Sequence, residues 1–249
     1  MKYYSNSSKL NYCKGAYRLI SPFILAIFFL LLNNKLDSQT FYMAGYSGLK
    51  SLNLNSSECG NCTIQALGPP GPYGSGISFG PDNNLYYLNY EIPGSKIYQV
   101  DISTGNFGTP IFTGPLLDFM YGFVSVGGGI FYTKTWFPAS AGILYRWDIN
   151  VGTVTAVGNL PYNGNGDMTM AWGDIYYEAK SVPAGFNGIV RLDTINPGNS
   201  ELLCIYPWNI SFTGLTASPF CNILLGLDGL DYGALKLINL IDGSITPYC

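Results

Sequence analysis

A unit of about 46 residues recurs along most of this chain, and that period restricts the fold more than any other feature. Five segments align with one another: LKSLN (49–53), IYQVD (97–101), LYRWD (144–148), IVRLD (189–193) and LKLIN (235–239). Each closes on Asp or Asn. The closing residues Asn53, Asp101, Asp148, Asp193 and Asn239 lie 48, 47, 45 and 46 positions apart. A period of this length is the signature of stacked supersecondary units and falls in the range of propeller blades.

The rest of the unit recurs as well. Ahead of each segment runs an aromatic or aliphatic strand: FYMAG (41–45), LYYLN (85–89), IFYTK (130–134), IYYEA (175–179) and ILLGL (223–227). Behind it come a Gly-containing turn, as in DISTG, DINVG, DTINPG and NLIDG, and a further β-rich stretch such as TVTAVGNL (153–160) or ELLCIY (201–206). GISF (76–79), FVSV (123–126), MTMAW (168–172) and GLTAS (214–218) supply one more strand at the front of the unit. Four short strands per unit make a blade. The sequence therefore predicts an all-β propeller of five four-stranded blades over residues 39–249, with almost no helix after residue 38. The pairs Tyr86–Tyr87 and Tyr176–Tyr177 point to opposite faces of their strands, so one ring of each pair is expected in the core.

The recurring Asx residues invite a metal-site reading, but an Asp or Asn opening a tight turn is ordinary hairpin chemistry. Its side chain accepts from nearby backbone N–H groups, and a Gly four or five residues on takes the positive φ angle. The same holds for GPDNN (80–84), where Asp82 alone brings a charge to any Ca²⁺.

FGPDNNLYYLN (79–89) followed by KIYQVDISTG (96–105) resembles blades of the NHL, YVTN and gluconolactonase-like propellers, and the repeats of surface proteins secreted by Bacteroidota. The likeness extends over nearly all of 41–249 and lies in fold motifs. Gluconolactonase-like enzymes hold a divalent metal on the propeller axis with Glu, Asn and Asp side chains. No matching constellation carries over to this sequence, so no metal and no cofactor are assigned.

The chain contains no histidine. That excludes Ser-His-Asp and Cys-His catalysis and His-ligated zinc, and leaves carboxylates as the only acid–base groups an enzyme reading can use. Only 11% of residues are charged, while Gly (31), Tyr (20) and Phe (14) are abundant, a mixture that suits turns and sheets.

The amino end carries Lys2, Lys9, Lys14 and Arg18, then the apolar run Leu19 to Leu32, then NNKLDSQT. This is the order of a secretory signal peptide over residues 1–38, cleaved after Ser38; retention as an anchor is the alternative. The run of fourteen residues, Pro22 included, is short of the roughly 20 that a spanning helix needs. Beyond residue 38 stand seven Lys and Arg against fourteen Asp and Glu, a net charge of −7. Nucleic acid and anionic membrane surfaces are poor partners for such a surface, and the membrane is met only through the N-terminal segment if it is uncleaved. The expected location is secreted or cell-surface.

In a four-stranded blade the loops that join blades and the loops between the second and third strands share one face. Here those loops carry Tyr90, Trp136, Phe137, Tyr162, Phe186, Trp208 and Tyr232, with Tyr73 and Phe119. Rigid aromatic loops suit a glycan or peptide ligand, which makes an extracellular binding or scaffold module the leading functional reading. The alternative is a glycan-active hydrolase or lyase in which Asp118 and Asp167, each just ahead of a first strand, act as acid and base.

An exported chain favours paired cysteines. Cys59 and Cys62 in CGNC are expected to form a local disulfide, and Cys204 to pair with Cys221 as a staple between blades. Cys249 has no downstream partner. Repeat one begins at its second strand, which leads to the expectation of a partial propeller, truncated from a longer product or completed by association.

Overall fold

The structure is a computed structural model. It describes residues 39–249 apart from 46–47, 55–62, 70–73, 90–93, 116, 118–119, 136–141, 181, 183, 219–221, 230–233 and 249. The expected signal segment, residues 1–38, lies outside the described residues.

Antiparallel sheets follow one another along the chain. The first has three strands, β1 (Gln39–Gly45), β2 (Gly48–Leu54) and β3 (Thr63–Ala66). Four four-stranded blades come next. Blade I is β4 (Gly74–Phe79), β5 (Leu85–Asn89), β6 (Lys96–Val100) and β7 (Phe107–Thr113). Blade II is β8 (Met120–Gly127), β9 (Ile130–Thr135), β10 (Ile143–Asp148) and β11 (Thr153–Asn159). Blade III is β12 (Asn163–Ala171), β13 (Asp174–Lys180), β14 (Phe186–Leu192) and β15 (Glu201–Pro207), with a single 3₁₀ turn at Pro197–Asn199 before its last strand. Blade IV is β16 (Phe212–Ala217), β17 (Ile223–Asp228), β18 (Ala234–Asn239) and β19 (Ile245–Pro247). The all-β reading holds, but the expectation of five four-stranded blades is corrected to four: among the described residues the first sheet has no strand on the inner side of β1.

Each blade is a meander because its turns leave no other choice. In blade I, Asp101 accepts from the Ser103 amide at 2.8 Å and Gly105 sits at φ +70°, which closes the β6–β7 hairpin. Asp148, Asp193 and Asn239 each accept from the amide two residues on, and Gly152 and Gly243 repeat the positive φ. The recurrent Asx residues described here are thus turn residues, and Asp82 likewise accepts from Asn84 and from the Tyr86 hydroxyl.

The inner strands stand side by side, β4 against β8, β8 against β12, β12 against β16. The core lies between the blades. Leu85 and Tyr87 pack with Leu49 toward the first sheet, while Tyr86 and Leu88 pack with Phe123, Phe131 and Trp147 of blade II. Tyr132 and Leu144 face Met168 and Tyr177 of blade III, and Tyr176 and Ile189 face Phe212 and Leu224 of blade IV. Both rings of each tyrosine pair are therefore buried, with Tyr86, Tyr87, Tyr176 and Tyr177 at 9% exposure or less. This overturns the expectation of one core ring per pair. The reason is that a blade sandwiched between neighbours has no solvent face, unlike a sheet covered on one side only.

Candidate binding face and the buried charges beneath it

The antiparallel register places four residues of blade III level at one end: Asn163 pairs with Lys180, Lys180 with Asn187, and Asn187 with Tyr206. This is the end that carries the interblade loop after β15. Directly opposite residues share a face of a sheet, and Tyr206 stacks edge-on against Phe212, so this row faces blade IV.

The loop 208–211 leaves blade III for blade IV, and its backbone is pinned along its length. The Trp208 amide donates to the Gly185 carbonyl at 3.2 Å, and the Ile210 amide to the Pro207 carbonyl at 3.1 Å. The Ile210 carbonyl accepts from Asn187 Nδ2 at 2.8 Å. Ser211 donates to Asp228 and accepts from the Gly229 amide. On this fixed loop the Trp208 side chain stands 67% exposed, and Phe186, paired with Pro207 at the same end, is 39% exposed. Tyr162 turns inward instead and packs on the core between blades II and III. Tyr90, Trp136, Phe137 and Tyr232 lie outside the described residues, as does Asp118.

Beneath this end runs a set of charges, of which the sequence reading singled out Asp167 alone. Lys134, at the end of β9, is fully buried and donates from Nζ to the Gly166 carbonyl of blade III at 2.8 Å. Glu178 of β13 is fully buried, and its Oε1 accepts from the Phe212 amide of blade IV at 2.9 Å and from the Tyr206 hydroxyl at 3.0 Å. Asp228 of β17 is fully buried and pairs with Lys236 at 2.6 Å. Asp167 accepts from the Met168 amide at 2.8 Å, and the Leu215 and Phe123 amides of the flanking inner strands also favour its charge.

Burial dominates the electrostatics here. It pushes the Asp167 and Glu178 carboxyls up to about 7 and the Lys134 ammonium down to about 8, while the opposite charges of Lys134 and the two acids partly offset it. What Lys134 and Glu178 do physically is latch blades: each side chain reaches across an interface to the inner-strand backbone of the next blade. Ser78 of blade I does the same on a smaller scale, its Oγ accepting from the Ser125 amide of blade II at 3.0 Å.

Gly166 makes the arrangement possible. It takes φ +58° inside a bulge between Asn165 and Met168, and a Cβ there would run into the Phe212 carbonyl and Glu178 Oε2. Among the described residues no group of three or more Asp, Glu, Cys or His is placed to hold a metal ion.

Cys204 is a free, buried thiol in the interface between blades III and IV, beside Gly243, and Cys221, the partner expected for it, is not among the described residues. Its strand turns the sulfur inward, against the neighbouring blade, where burial raises its pKa. Cys59, Cys62, Cys221 and Cys249 lie outside the described residues.

No protein-family model matches the chain, and no curated protein matches it. Solved structures do. A structural-genomics protein of unknown function from Bacteroides thetaiotaomicron matches at TM-score 0.56 and 14% identity over 86% of this chain and 56% of that one. TolB from Acinetobacter baumannii matches at 0.54 and 14% over 89% and 56%. A gluconolactonase from Xanthomonas campestris matches at 0.54 and 11% over 84% and 71%. These are β-propeller proteins, and the chain has the β-propeller fold. It spans a little over half the length of the Bacteroides and Acinetobacter proteins.

Proposed function

We propose that the chain is an exported recognition module, secreted or displayed at the cell surface, which binds glycan or peptide through the end of the molecule that carries Phe186 and Trp208. The observation that supports this most is Trp208 itself, a large ring left 67% exposed on a loop held by backbone and side-chain hydrogen bonds. A ring presented on a rigid support loses little conformational entropy when a ligand covers it, which is how aromatic contacts yield affinity. The acids nearest this face are engaged already. Glu178 accepts two hydrogen bonds, and Asp228 is paired with Lys236.

A glycan and peptide array probed with the mature protein tests the reading. Binding that falls at least ten-fold in Trp208→Ala, with the melting temperature unchanged, supports it; binding that ignores the substitution removes the face from consideration.

One observation favours a second reading, glycan cleavage, with Asp118 as partner: burial holds the Asp167 carboxyl at about 7, the range of a general acid. Turnover of a polysaccharide that disappears in Asp167→Asn would select it over binding alone.

A further inference from the structure

We propose that the ligand is a neutral carbohydrate and that it seats at the loop end of the seam between blades III and IV, on the row Asn163, Lys180 and Asn187. This rests on the binding-face reading above and adds the ligand class. Asn187 is 1% exposed, and its Nδ2 donates to the Ile210 carbonyl. That bond fixes the amide orientation, because a carbonyl can only accept. Asn187 Oδ1 is thereby left buried with no donor, and Asn163 Oδ1, two strands away at the same register, is buried with no donor too. Two orphan acceptors at one end of one interface call for a ligand rich in donors.

The class follows from what surrounds them. Sugar hydroxyls donate and accept at once, so the same group that donates to Asn187 or Asn163 can accept from Lys180, the exposed member of the row and the point of access between the two asparagines. Trp208, on the loop that leads from this row to blade IV, offers a ring face to the apolar edge of a pyranose. Glu178 and Asp228 lie buried behind the row, and beyond residue 38 the chain is strongly acidic. Both disfavour a uronate or other anionic sugar.

Titrations of neutral oligosaccharides, uronate-containing oligosaccharides and mixed-sequence peptides into the mature protein and three variants test this. The expected result is binding of a neutral oligosaccharide, weakened ten-fold or more in Asn163→Ala and in Asn187→Ala and lost in Trp208→Ala. Asn187 also holds the loop, so Asn163→Ala, which leaves that bond intact, keeps the test open if Asn187→Ala fails to fold. Neutral sugar bound equally by Asn163→Ala and wild type, yet lost in Trp208→Ala, overturns the seat on this row and leaves the binding face standing. So does a peptide or a uronate bound through Trp208 in place of any neutral sugar. Binding of none of the three classes by the wild type overturns both readings.

Discussion

Buried charge is the residue-scale feature with the clearest physical consequence. Asp167 and Glu178 keep protons at about pH 7 that the unfolded chain releases near 3.8 and 4.5, so the native state binds more protons between those values. Their stabilising contribution is complete below the unfolded pKa values and is lost as pH rises through about 7. Lys134 runs the other way: its folded pKa of about 8 lies below the ordinary 10.5, so stability is regained as pH rises from about 8 toward 10.5. The turn aspartates carry the opposite sign from the buried acids. Asp101, held at about 2 chiefly by the Ser103 and Thr104 hydroxyls, loses its contribution as pH falls from 3.8 through about 2. Thermal melts across pH 2 to 10 at constant ionic strength should therefore show a midpoint that declines from about pH 5 to 7 and recovers above 8. Glu178→Gln should flatten the decline, and a wild-type midpoint that climbs steadily from pH 5 to 7 would contradict the assignment.

Elements in this molecule are shaped by glycines of two kinds, and the difference is measurable. Gly105 and Gly152 both close hairpins at nearly the same φ, +70° and +71°. Around Gly152 a Cβ would meet nothing within 4 Å, whereas at Gly105 it would overlap the Leu67 carbonyl of the preceding chain. Gly152→Ala should therefore cost only the left-handed backbone penalty, about 1–2 kcal/mol. Gly105→Ala should cost a further 1–3 kcal/mol or so for overpacking. Urea denaturation of the two variants measures the difference, and equal costs would mean that the Leu67 contact relaxes freely. A third set of glycines sits in the inner strands: Gly76, Gly122, Gly166 and Gly214 recur 46, 44 and 48 positions apart, and each blade carries a bulge at that place. The recurrence was visible in the sequence. Its meaning was not, because a bulge is defined by pairing with a neighbouring strand.

For the whole molecule, a core distributed between blades makes each interface a nearest-neighbour unit. Phe131 stacks on Phe123 and meets Tyr86 of blade I edge-on, with ring centroids 5.1 and 5.0 Å away. Phe131→Ala should destabilise the protein by about 3–5 kcal/mol. Hydrogen exchange should quicken first in blades I and II, with blade IV, two interfaces away, changed least. An equal rise in all blades would instead mark the molecule as a single cooperative unit.

The period, the strand order within the unit and the Asx–Gly hairpins were legible in the sequence because all three depend on short-range chemistry: alternation along a strand, a side chain reaching an amide two residues on, a glycine at positive φ. Tertiary structure decided the rest. Whether Tyr86 and Tyr87 are both buried depends on a second blade covering the far face of the sheet, which no local pattern records. The burial of Lys134 and Glu178 likewise depends on an adjacent inner strand, which supplies the Gly166 carbonyl for Lys134 and the Phe212 amide for Glu178. The aromatic loop residues looked alike along the chain, and packing alone separated Tyr162, turned into the core, from Phe186 and Trp208, left to solvent. Local rules act over a few residues of chain, whereas burial is set by what arrives from some 45 residues away.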